Sequence, residues 1–167
     1  MLIVCFLLPL IPVSTQAGQT AENGLAGYAQ AQANLHAVGK LRLQAQRIQR
    51  TLNLCADRYQ HLRESASEAL HQWQLTNQPI LDKTSRVSET VLQNVRQLNS
   101  PFAAEKLALE IDTLISSQVT TFEQDFSQKP RKQQHYLCNR LILSISTGEH
   151  DLANTTPAAT RLIMEYK

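Results

Sequence analysis

Glu64, Glu68 and His71 are the residues whose types and spacing come nearest to a chemical site. Glu68-Ala-Leu-His71 has the Glu-x-x-His form that helical bundles use in pairs to hold two irons, one ligand per helical turn on the same face. It occurs once in this chain. Its helical phase sets it opposite Ala66, Ala69 and Trp73, so the three side chains are expected in solvent, as weak metal candidates only. His61, His135 and His150 lack zinc-ligand spacing with the cysteines. Phosphate loops, nucleophile motifs and paired carboxylates do not stand out. The expectation is a protein without catalytic residues and without a cofactor.

The cysteines carry the stronger chemistry. Of the three, Cys5 lies in an uncharged apolar run from Leu2 to Val13, too short to span a bilayer. Residues 1–17 read as a signal peptide with a cut after Ala17, although no Lys or Arg precedes the apolar run. Residues 18–24, GQTAENG, read as a disordered lead. The mature chain then holds Cys55 and Cys138, which are expected to pair in an oxidising compartment, periplasmic or extracellular. Such a bridge closes a loop of about 84 residues, for which chain entropy predicts about 4–5 kcal/mol of stabilisation.

The elements that must position these residues are helical. A chain of 167 residues with 43% hydrophobic, 5% aromatic and 18% charged residues suits one all-α domain, placed at 25–152, with 153–167 as a short helix or tail. Leu41, Ala45, Ile48, Leu52, Cys55, Tyr59, Leu62, Ala66, Ala69 and Trp73 recur at alternating steps of four and three, a heptad seam. Tyr59, Leu62, Trp73 and, farther on, Phe122 are the expected core anchors. Pro79 predicts a kink or short break, with Asn77 capping the helical segment beyond it. Ser100-Pro101 predicts a helix start, Pro130 an interruption, Gly148 a helix end and Thr156-Pro157 a last short start.

The disulfide then bears on architecture, because its Cα atoms must lie within about 7 Å. An up-down four-helix bundle turning at Pro79 separates the two sulfurs widely, whereas two long arms reversing at Ser100 bring them level. The expectation is an elongated antiparallel helical hairpin stapled by Cys55–Cys138, with a compact four-helix bundle as the alternative. Residues 40–63 carry six Lys/Arg and one Asp, while 105–125 carry five Asp/Glu and one Lys, so these segments should attract each other. A net charge of +2 and basic residues interleaved with seam leucines argue against a nucleic-acid partner. No integral membrane segment is expected after signal removal.

Cys55, Tyr59, Trp73 with Asn77 four residues on, and Cys138 together resemble a group of small secreted proteobacterial helical proteins with a Cys…W-x-x-x-N…Cys pattern. The likeness covers roughly residues 50–152 and implies a helical fold and no known activity. Leu75-Thr76-Asn77-Gln78 is similar, one residue short, to the L-T-x-x-Q mark of Spy-type periplasmic chaperones. Leu70, Leu92, Leu109 and Leu143 are expected on the flanks of the arms. The expected work is therefore non-enzymatic protein–protein interaction, as adaptor, accessory subunit or weak chaperone, through an unknown partner or self-association. The alternative is a small-ligand or metal-binding bundle.

Overall fold

The computed structural model describes residues 16–98 and 101–167, with side chains described for 30–97 and 101–167. The expected signal segment falls almost wholly outside these residues, as does Ser100. Among the described residues six α-helices succeed one another: α1 (Gln16–Arg58), α2 (Arg63–Leu98), α3 (Pro101–Gln128), α4 (Arg131–Ser146), α5 (Leu152–Thr155) and α6 (Pro157–Met164), with a 3-10 turn at Gln60–Leu62 between α1 and α2. No strand occurs among the described residues. The segment 18–24, expected as a disordered lead, belongs to α1.

Side-chain ties fix the directions. Arg42 pairs with Asp112 and Arg50 with Glu123, so residue numbers rise together along α1 and α3 and the two run parallel. Along α4 the numbers rise with those of α2: His61 meets His135, and Trp73 meets His150. Against α1 they fall, since Arg58 meets Gln134 and Cys55 meets Cys138. Hence α1 and α2 are antiparallel, and the chain reverses at Tyr59 rather than running on as one arm to Ser100. The two-armed hairpin keeps its reversal between α2 and α3 but is corrected at Tyr59, giving an up-down arrangement of three long helices with α4 and then α6 beside them.

The Cys55–Cys138 bridge, expected from the residue pairing alone, is present with Cα atoms 5.7 Å apart. The Tyr59 reversal supplies the missing geometry. Cys55 lies four residues before it and Cys138 eight residues after Pro130, about 6 and 12 Å of helix rise from the same end of the bundle. Tyr59 itself is extended (φ −128°, ψ 91°), while its N–H still donates to the Cys55 carbonyl at 3.1 Å.

Pro79 does not break α2. The ring leaves the Leu75 carbonyl without its helical donor, and both Pro79 and Leu75 are exposed, so water can satisfy that oxygen. Asn77 is therefore a helix-interior residue, buried to 1% exposure, and not a cap. Gly148 ends α4 as expected. Its N–H donates to the Ile145 carbonyl and that of Glu149 to Ser144, a Schellman closure whose left-handed residue has φ +74°.

The core tracks the seam closely: Leu41, Ile48, Leu52, Cys55, Leu62, Ala66, Ala69 and Trp73 are buried. Val87 and Val91 of α2, with Phe126, Leu141 and Ile145 of α3 and α4, continue it. Of the expected anchors, Leu62 and Trp73 are core, while Tyr59 and Phe122 are half-buried. The C-terminal segment is no tail. Leu152 and Ile163 are fully buried, α6 packs on α1 and α2, and Lys83 donates to the Tyr166 carbonyl at 2.7 Å.

Candidate functional site

Two constellations of polar side chains converge in this fold. The first is built around Trp73 and Asn77, one helical turn apart on the inner face of α2. Trp73 Nε1–H donates to the His150 carbonyl at 2.9 Å. The Asn77 amide oxygen accepts from the Leu152 N–H at 2.8 Å, and its nitrogen donates to the Trp73 carbonyl and to Asp151. The W-x-x-x-N spacing thus serves to dock the backbone of the segment after α4. Every polar group in it has a partner, so it is a structural clasp.

The second constellation is a lateral cleft of about 690 Å³ between α1, α3, α4 and the 149–155 segment, within the size range of small-molecule sites. Ile48, Phe122, Phe126, Leu137 and Leu141 give it apolar walls, and Arg47, Lys129 and Arg140 bring positive charge, against Asp125 and Glu149. Neighbouring arginines of α1 are spent on ion pairs: Arg42 with Asp112 at 2.8 Å and Arg50 with Glu123 at 3.6 Å. Arg47, between them, lies over the Phe122 ring at 5.8 Å. Its Nε is buried without a hydrogen-bond partner. A buried donor left unpaired costs about 1–3 kcal/mol.

His150 also lines the cleft. Burial pushes its pKa below the ordinary 6.5, Glu149 opposes that shift, and Arg140 adds to it. The imidazole is therefore held towards its neutral form, able to donate or accept near the cationic Arg140.

Glu64, Glu68 and His71 are all exposed, and among the described residues no group of three or more His, Cys, Asp or Glu side chains could hold a metal ion. Leu109 and Leu143 are exposed at 68% and 69%, on the flanks where they were expected; Leu70 and Leu92 are half-buried. The cleft was missed by sequence reasoning, except that Phe122 was singled out as an apolar anchor. Arg47, Phe122, Arg140 and His150 come from segments with no common spacing, and the signal available was an arginine set on the same helix as the apolar seam. No helix among the described residues is long and apolar enough to cross a membrane. No family model, curated protein or solved structure matches the chain.

Proposed function

We propose that this chain is a non-enzymatic binding protein of an extracytoplasmic compartment, and that the cleft beside Arg47 takes an amphipathic organic anion. The observation that carries this reading is the buried, unpartnered Arg47 Nε set against apolar walls. A carboxylate or sulfonate would complete the guanidinium's hydrogen bonds, Lys129 and Arg140 would share its charge, and an apolar body would lie against Phe122 and Leu141. The disulfide supports the compartment, since such bridges persist where thiols are not kept reduced.

Calorimetric titration with dodecanoate tests it. One equivalent should bind, and Arg47→Met, which keeps the apolar stem and removes the guanidinium, should weaken binding about tenfold, the equivalent of one charge-assisted hydrogen bond of about 1.4 kcal/mol. Equal affinity in the two proteins would overturn it.

A second reading, protein–protein interaction as adaptor or weak chaperone, is favoured by Phe102 and Leu109. These lie two turns apart on α3 and are 74% and 68% exposed. Suppression of client aggregation, or self-association, that disappears in Phe102→Asp/Leu109→Asp would support it; a monomer inactive towards aggregating clients would dismiss it.

A further inference from the structure

At the Tyr59 reversal two histidines meet that lie 74 residues apart in the chain: His61 Nε2 and His135 Nε2 are 2.9 Å from each other. We propose that this pair is a two-histidine site for a divalent transition metal, with copper(II) or nickel(II) preferred over zinc. This site is independent of the Arg47 cleft, and Glu64, Glu68 and His71 are not grouped with it.

The geometry carries the proposal. Imidazole nitrogens bind such metals at about 2.0–2.1 Å; the two Nε2 atoms face each other across a hydrogen bond, with ring centroids 5.1 Å apart, and rotation of the exposed His61 ring would turn both lone pairs towards one ion. Zinc sites draw three or four ligands from the protein, whereas two imidazoles completed by waters give the tetragonal nitrogen and oxygen set of copper(II) or nickel(II). The pair is also held before any ion arrives. His61 sits in the 3-10 turn Gln60–Leu62 and His135 in the first turns of α4. The two elements are clamped by the Cys55–Cys138 bridge and by the Tyr59 hydroxyl donating to the Arg131 carbonyl at 3.0 Å. The Tyr59 ring stands edge-on to both imidazoles, at 5.2 Å from His135 and 6.2 Å from His61.

Without metal, one Nε2–H donates to the other Nε2. Coordination by both nitrogens moves that proton to Nδ1 of the ring that held it, with no net change in protons. The Asn139 amide nitrogen is held by donation to the His135 carbonyl at 3.1 Å, so the relocated Nδ1 proton is left to water. Water fills the remaining coordination positions, because His61 is exposed and, among the described residues, no third protein ligand is grouped with the pair.

The test is titration of the disulfide-intact chain with copper(II) chloride and nickel(II) chloride, monitored by calorimetry and by the visible absorption of the bound ion. One equivalent should bind, with zinc chloride weaker than either. His61→Ala and His135→Ala should each lower affinity at least tenfold, whereas His71→Ala should leave it unchanged. Circular dichroism of each variant confirms that its helices remain. Metal binding that survives both His61→Ala and His135→Ala, or that is lost in His71→Ala, would overturn the assignment, as would no binding at all.

Discussion

The middle of α4 and the segment that follows the helix are fastened to the α1–α2 pair by opposite means. Within the helix the tie is covalent, Cys55–Cys138, backed in its first turn by Arg58 donating to Gln134 at 2.6 Å, while the same guanidinium donates to Ser127 of α3 at 2.7 Å. Past its C-terminal end the tie is hydrogen-bonded throughout, with Trp73 and Asn77 engaging the backbone of His150 and Leu152. The first acts chiefly by restricting the unfolded chain. The second acts in the folded state, where it gives buried backbone groups the partners they would otherwise lack. A bridge fixes which helices are neighbours, while the clasp fixes the path of one segment of backbone.

Breaking the covalent tie should have the largest effect. Cys55→Ser/Cys138→Ser should lose about 4–5 kcal/mol in urea unfolding, and dithiothreitol should bring the wild type to the same midpoint. At the hydrogen-bonded tie Asn77→Ala leaves the Leu152 N–H buried and unpaired, at a cost of about 1–3 kcal/mol. The comparison sharpens if hydrogen exchange in this variant accelerates at residues 148–155 while the first turns of α4 stay protected. Gly148→Ala should cost about 1–2 kcal/mol by thermal unfolding, because φ +74° disfavours a side chain and the added Cβ would stand 2.9 Å from Asp151 Oδ2.

The smallest effect concerns pH. His150 has a lowered pKa in the folded chain, so the unfolded chain takes up its proton first as pH falls. Its contribution to stability is complete above pH 6.5 and declines as pH falls through 6.5 towards the lowered folded value. Urea midpoints of the wild type and His150→Gln should keep a constant difference above about pH 7, and below 6.5 the wild type should lose ground to the variant. The imidazole is only partly buried, so the change is slight.

Tyr59 and Pro79 show why part of this fold was legible and part was not. The helical class, the cysteine pairing, the end at Gly148 and the start at Pro157 each arise from local chemistry that the tertiary structure leaves intact. At Tyr59 there is no glycine or proline, and the heptad seam passes through the reversal in phase, so nothing local announces a turn. The break is enforced from outside, by the bridge at Cys55, the Arg58 contacts and the Tyr59 hydroxyl. Pro79 is the converse, a strong local signal made harmless because the carbonyl it orphans faces water. For the candidate site, the charged and apolar character of each residue was readable, but their meeting was not. Arg47 gained its interest only when α3 placed Phe122 over it and the 149–155 segment walled the cleft.

Because the bridge joins α1 to α4, everything between Cys55 and Cys138 forms a closed covalent ring containing the whole of α2 and α3. A single peptide cut anywhere in that ring yields one molecule with two extra termini, not two fragments. New ends can therefore be opened there, for a label or a fused domain, while the pieces on either side of the cut remain one covalent molecule.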